Sequence, residues 1–247
     1  MSDLSHPHPG PLPHAGEGAG YLARRETIER YFDRTAADAW ARLTSTAKVG
    51  GIRATVRAGR DRMRATLLGW LPDDLSGKRI LDAGCGTGAL AVEAAKRGAE
   101  VVAIDLSPTL VQLARDRVPA ELARAIDFRS GDMLDPALGF FDHVVAMDSL
   151  IHYAQGDTVG ALGTLAARTK QSIVFTFAPS NPLLATMIAV GRLFPRSNRA
   201  PFIEPLAERR LRNAIGADPW LDPWRCGRTE RIASGFYTSQ ALELVKA

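Results

Sequence analysis

The chain has 247 residues, 46% of them hydrophobic, a formal charge of +4 and a pI near 9.3, which is enough apolar material for one sizeable α/β core with an appendage. The positive balance comes from arginines without an uninterrupted basic run, so it suits an anionic ligand or surface without demanding nucleic acid. Two cysteines, Cys85 and Cys226, exclude a disulfide framework and fit a reducing compartment; no segment reaches the ~20 apolar residues of a spanning helix, and the start lacks the order of a signal peptide. The expectation is a cytoplasmic protein, peripheral at a membrane at most.

Residues 1–20 are dominated by His, Pro and Gly and are expected to be a disordered tail. His6, His8 and His14 lack the fixed scaffold and Cys partners of a metal site, so no metal is expected. From Tyr21 to Leu43 the spacing predicts a helix with Ile28, Tyr31 and Phe32 on one face. A break at Thr44 to Gly51 leads to a second helix, Ile52 to Leu71, with Val56, Met63, Leu67 and Trp70 recurring at helical spacing. Residues 21–75 thus read as a helical arm or lid beside a main domain at 76–247.

The main domain alternates strand and helix, the pattern of a parallel sheet covered on both faces. Strand one ends at Ile80 and Leu81, and its crossover helix runs from Ala89 to Arg97. Strand two is Val101 to Ile104, followed by a helix opened by Ser107 and Pro108 and running to about Val118. Ile126 to Phe128, His143 to Met147 and Ser172 to Phe177 are strands three to five, and Asp157 is the expected cap of the helix between the last two. Residues 179–203 interrupt the alternation, with Pro182 to Val190 expected as a substrate-covering helix backed by Arg192, Arg196 and Arg199. A helix from Glu204 to Ile215 and two strands, Arg228 to Ala233 and Tyr237 to Val245, close the chain as a hairpin around Gly235. The fold class is a doubly wound α/β, Rossmann-like, seven-stranded and mostly parallel sheet. A last strand returning as a hairpin is the order of class I methyltransferases, not of the six-stranded dinucleotide fold.

Strand one runs into Asp82-x-Gly84-x-Gly86-x-Gly88, with Cys85 inside the loop. The spacing departs by one residue from the G-x-G-x-x-G of dinucleotide loops. Glycines allow close backbone approach and positive φ, and Asp82 at the mouth suits an ammonium group and repels a pyrophosphate. Asp105 lies 17 residues beyond Gly88 at the end of strand two, where a carboxylate accepts both hydroxyls of a ribose. After strand three, Asp132 is placed for an adenine amino group and Met133 for packing on the ring. Leu106 and Asp148, each just past a strand end, complete the candidate cofactor set. The ligand with an adenosine end and an amino-acid end is S-adenosylmethionine. An NAD-dependent oxidoreductase is the rival enzyme, disfavoured by the glycine spacing and by Asp82. His152, just past strand four, opens at the same edge and is either a catalytic histidine or one satisfied by backbone.

Several stretches together resemble the magnesium-protoporphyrin IX methyltransferase family of chlorophyll and bacteriochlorophyll synthesis. They are Glu29-Arg30-Tyr31-Phe32 with Trp40, Lys48-Val49, Ile52-Arg53, Asp82 to Gly88, Ile151-His152-Tyr153, Phe177-Ala178-Pro179, Phe194-Pro195-Arg196 and Gly235-Phe236-Tyr237. The resemblance implies methyl transfer from S-adenosylmethionine to a propionate carboxyl of Mg-protoporphyrin IX, with Tyr31 and His152 in catalytic roles and magnesium present only within the porphyrin. It also makes a handover from magnesium chelatase an expectation, and the apolar substrate points to peripheral contact with a photosynthetic membrane. Arg53, Arg57, Arg192 and Arg196 are candidates for the propionates. The alternatives are a class I methyltransferase acting on another small apolar carboxylate and a non-catalytic porphyrin carrier; a nucleic-acid methyltransferase would show an N/D-P-P-Y tetrad, which is absent.

Overall fold

Alternating side chains along each central strand supply two cores, one on each face of a single sheet. In β1 (Arg79–Ala83), Ile80 packs on one face and Leu81 and Ala83 on the other; in β2 (Glu100–Asp105), Val101 and Ala103 oppose Val102 and Ile104. That period of two, carried by β-branched and aliphatic residues, is what a sheet buried on both sides requires. The computed structural model describes residues 18–31, 50–180 and 203–247. Of the expected tail at 1–20, residues 18–20 instead open a helix; its residues 1–17, the arm residues 32–49 with Phe32, Trp40, Lys48 and Val49, and the stretch 181–202 with the Pro182 to Val190 helix, Arg192, Phe194, Pro195, Arg196 and Arg199 lie outside the described residues.

The remaining strands are β3 (Ile126–Ser130), β4 (Phe141–Ala146), β5 (Thr169–Phe177), β6 (Trp224–Ser234) and β7 (Tyr237–Lys246). Their order across the sheet is β3-β2-β1-β4-β5-β7-β6. The first five are parallel; β7 runs antiparallel between β5 and β6. This is the seven-stranded arrangement expected from the closing hairpin. The order reverses between β1 and β4, so the loops after these strands part and leave a crevice at the carboxyl edge.

Among the described residues the α-helices are α1 (Gly18–Tyr31), α2 (Gly51–Gly69), α3 (Ala89–Lys96), α4 (Pro108–Arg117), α5 (Gln155–Ala166) and α6 (Glu208–Ala217). Tyr21 and Ile28 of α1 join the core face that holds α5 and α6. Met63, Leu67 and Leu68 of α2 join the opposite face, with α3 and α4. The two helices described ahead of the sheet, α1 and α2, therefore sit on different faces of it.

Local chemistry explains most boundaries. Ser107 accepts the Leu110 N–H at 3.3 Å with Pro108 in the first turn, as expected of an N-cap. Asp157 is not a cap: it lies in the first turn of α5, whose N-cap is Ala154, and there it complements the positive helix end. The last helix begins at Glu208, four residues later than expected, because the segment before it is used for pairing. Glu204 N–H donates to the Ile151 carbonyl at 2.9 Å, and Leu206 bonds to Ala178 and Ser180, both at 2.8 Å.

Candidate active site

The crevice is a cavity of about 500 Å³, in the range of small-molecule sites. Its strand-end wall is formed by the loops after β1, β2, β3 and β4, and its cover by α1 and α2.

The glycine loop is bent by three left-handed residues, Gly84 at φ +84°, Gly86 at φ +52° and Gly88 at φ +77°. A Cβ on Gly84 would stand 2.4 Å from Ser149 Cβ, so the loops after β1 and β4 touch where no side chain fits. Gly84 and Cys85 donate to the Ile104 carbonyl at 2.8 and 2.9 Å, which ties the loop to β2. Gly88 serves packing instead. It precedes α3, and a Cβ there would meet the Phe128 ring at 2.8 Å, so it seats helix on strand and does not line the cavity.

Asp82 is only 1% exposed, and one of its carboxylate oxygens has no hydrogen-bond partner. Burial, opposed by the Ala91 N–H and raised further by the charge of Asp105, pushes its pKa up to about 7, while Arg64 pulls the other way. A buried carboxylate with an unfilled acceptor beside a cavity lacks a cation donor. The ammonium of an amino-acid tail fits that need, and Arg64 at the same end of the cavity suits its carboxylate.

Asp105 accepts the Gly86 N–H at 2.8 Å and the Ser107 N–H at 3.0 Å. Its pKa is raised, chiefly by burial. The two backbone donors fix the carboxylate, which keeps lone pairs for further donors such as ribose hydroxyls. Cys85, Leu106 and Met133 line the same cavity, and burial pushes the Cys85 thiol up so that it stays a neutral wall.

Asp132 is placed differently from expectation. Its carboxylate accepts Tyr21 Oη at 2.8 Å, an Arg25 guanidinium at 2.9 Å and the Leu134 N–H at 2.9 Å, and it does not line the cavity. Tyr21 does, stacked on Tyr153 with ring centroids 4.9 Å apart. Burial holds the Tyr21 hydroxyl far above its ordinary pKa, so it remains a donor. Asp148 lines the cavity, but its carboxylate is engaged by Arg60, Tyr237, Ser239 and Thr176.

His152, in the short helical turn after β4, is 7% exposed and lines the cavity beside Ser149, whose buried hydroxyl has no partner. Tyr31 is the last residue of α1, half-buried and one turn beyond Ile28; Ile28 lines the cavity and Tyr31 does not. Of the arginines expected to face propionates, Arg57 lines the cavity and Arg53 is exposed. Tyr21, Ile28, Arg60, Arg64 and Ser149 line it too, and sequence reasoning misses all five. Arg57, Arg60 and Arg64 recur at helical spacing, the signal that could have found the cover's charged face.

The carboxyl-edge crevice, the glycine loop and the paired Asp82 and Asp105 on the 3-2-1-4-5-7-6 sheet define a class I S-adenosylmethionine-dependent methyltransferase. Residues 80–172 match a general methyltransferase domain family, and residues 146–246 match the family described as magnesium-protoporphyrin IX methyltransferase C-terminus. The chain is 51% identical over 90% of its length to the magnesium-protoporphyrin O-methyltransferase of Rhodobacter capsulatus, of which it covers 97%. It therefore belongs to the magnesium-protoporphyrin O-methyltransferase family. It is 29% identical to the chloroplastic magnesium protoporphyrin IX methyltransferase of Arabidopsis thaliana, over 90% of this chain and 71% of that one. Among solved structures it is similar to magnesium protoporphyrin IX methyltransferase from Synechocystis PCC 6803 with bound SAH, at a TM-score of 0.78 and 27% identity, covering 90% of this chain and 100% of the other.

Proposed function

We propose that the chain transfers a methyl group from S-adenosylmethionine to one propionate carboxylate of Mg-protoporphyrin IX, giving the monomethyl ester. The observation that carries this reading is one cavity of about 500 Å³ that holds the buried carboxylate of Asp82 and the half-buried one of Asp105 together with His152, in a chain 51% identical to a magnesium-protoporphyrin O-methyltransferase. S-adenosylmethionine supplies an electrophilic methyl on a sulfonium. Asp82 and Arg64 hold its amino-acid tail, Asp105 its ribose, and Leu106, Met133 and Tyr21 surround its adenine end.

The acceptor needs little acid–base help. A propionate resembles a glutamate side chain with an unperturbed pKa of about 4.3, so it is ionised at neutral pH. What the protein supplies is alignment and exclusion of water. His152, buried at the end of β4, holds the carboxylate by a hydrogen bond, and the unpartnered Ser149 hydroxyl is a second donor at the same edge. Ligation of the porphyrin magnesium by His152 is the lesser reading, since Mg²⁺ prefers oxygen ligands.

Residues 21–75 act in this reading as a lid, with Tyr31 brought to the acceptor when the macrocycle is bound, and the insertion at about 179–203 covers the porphyrin. The residues that flank that insertion are tied to the sheet's carboxyl edge, where Glu204 N–H donates to the Ile151 carbonyl and Leu206 N–H to the Ala178 carbonyl. No helix among the described residues is long and apolar enough to cross a membrane; the apolar acceptor is the support for handover from magnesium chelatase and for peripheral membrane contact.

The test is transfer of labelled methyl to Mg-protoporphyrin IX, metal-free protoporphyrin IX and a small carboxylic acid. The expected order of rates is Mg-protoporphyrin IX first by at least about tenfold, since the reading puts the binding energy in the metallated macrocycle. Equal rates on all three would remove the acceptor assignment and leave the cofactor assignment standing.

A further inference from the structure

Donors from three elements converge on one carboxylate. Asp148 accepts from an Arg60 guanidinium of α2 at 2.6 Å, from Tyr237 Oη of β7 at 3.1 and 3.2 Å, from Ser239 Oγ of β7 at 3.1 Å and from Thr176 Oγ1 of β5 at 3.2 Å. Its own N–H donates to Thr176 Oγ1 at 2.7 Å. A carboxylate has about four lone-pair sites, so protein donors alone fill this one. The residue also stands at φ 55°, the one non-glycine with positive φ among the described residues. A sparsely populated backbone persists only where its surroundings over-determine it, and these contacts do so.

What the contacts fix is α2. A Cβ on Gly59 would lie 2.5 Å from the Tyr237 ring, and a Cβ on Gly235, at φ +59°, would lie 2.2 Å from Thr55 Oγ1. Ser234 Oγ donates to the Thr55 carbonyl at 2.8 Å. The β6–β7 turn is thus a seat shaped to the N-terminal half of α2, and the Arg60 and Asp148 ion pair clamps the helix at its middle. Arg57 and Arg64 lie about one turn to either side of that clamp and line the cavity.

We propose that Asp148 is a positioning residue and not a cofactor contact. Through Arg60 and Tyr237 it seats α2 on the β6–β7 turn, and so sets where Arg64 meets the carboxylate of the methionine tail and Arg57 the carboxylate of the acceptor. The proposal rests on the methyltransferase reading above and deepens it.

The test compares Asp148→Asn with Asp142→Asn. Asp142 is a buried carboxylate at the other end of β4, bonded to the Arg79 N–H at 2.9 Å and to Lys170 at 3.4 Å, away from the cavity. Asp148→Asn is expected to raise the calorimetric Kd for SAH and the KM for Mg-protoporphyrin IX by about tenfold each, with kcat changed by less than about threefold, as for a loss of binding shared by ground and transition states. Asp142→Asn is expected to lower Tm comparably and leave Kd and KM within about twofold of wild type, since it removes hydrogen bonds remote from either ligand. Tyr237→Phe, which removes one donor and no charge, should raise the same two constants less, and it decides the matter if Asp148→Asn does not fold. Unchanged Kd and KM in the folded variant, or equal shifts in Asp142→Asn, overturn the proposal. A wild-type protein that binds SAH but does not methylate the porphyrin strikes the acceptor assignment alone, because the SAH arm does not depend on it.

Discussion

The strand-end wall of the cavity and its helical cover are attached to the protein by different means. In the wall, backbone bonds to backbone or to an adjacent carboxylate: Gly84 and Cys85 to the Ile104 carbonyl, Gly86 and Ser107 to Asp105. The cover is held by side chains reaching across the sequence, with Tyr21 and Arg25 on Asp132, Arg24 on Glu204 and Arg60 on Asp148. A wall whose hydrogen bonds are part of the sheet cannot yield without unfolding β1 or β2. In the cover, α2 is anchored in the core by Met63, Leu67 and Leu68 and clamped at Asp148, whereas α1 is tied to Asp132 and Glu204 through Tyr21, Arg25 and Arg24, side chains that can rotate away without breaking a strand. The wall therefore suits a constant ligand, S-adenosylmethionine, and the cover a bulky acceptor that must enter and leave.

Substitutions in the two regions should differ accordingly. The largest effect is expected from Asp105→Ala in the wall. It removes the proposed ribose acceptor and leaves the Gly86 and Ser107 N–H groups without their carboxylate, a loss of about 3 kcal/mol or ~100-fold in SAH affinity, read by calorimetry. A change below about threefold would place the ribose elsewhere. Tyr21→Phe in the cover removes one hydrogen bond to Asp132 while keeping the stack on Tyr153. It should weaken SAH by about 1 kcal/mol, roughly fivefold, and a loss as large as that of Asp105→Ala would erase the distinction between wall and cover. Arg24→Ala breaks a part-exposed ion pair with Glu204, worth at most about 0.5 kcal/mol, and should shift Tm by less than about 2 °C.

The same contrast explains what is legible in the sequence. Ile80 to Gly88 and Val101 to Asp105 carry their structure locally: alternation makes the strands, and three glycines with positive φ make the loop. The sheet order follows from the closing hairpin. The cover is legible only as two helices, because which residues face the cavity depends on docking partners 88 to 111 positions away, such as Asp148 for Arg60 and Asp132 for Tyr21. Asp132 and Asp148 read as cofactor residues from their place after a strand. The partners that engage their carboxylates in the structure come from helices and strands that no spacing rule connects to them. Gly88 illustrates the converse: its spacing belongs to the loop motif, while its missing side chain makes room for Phe128.

A wall built for the charged tail of S-adenosylmethionine depends above all on Asp82. Its ordinary pKa of 3.8 is raised in the fold to about 7, chiefly by burial. A raised folded value means that its contribution to stability is complete below about pH 4 and is lost as pH rises through about 7. The ammonium of the ligand reverses the balance by stabilising the carboxylate, with Arg64 acting in the same sense and Asp105 against it. Calorimetry of SAH binding at pH 6 in buffers of different ionisation enthalpy measures the proton count directly. The expected result is release of close to one proton by the wild type and a count lower by that proton in Asp82→Asn. The same proton count in both would contradict the assignment of Asp82 to the ammonium.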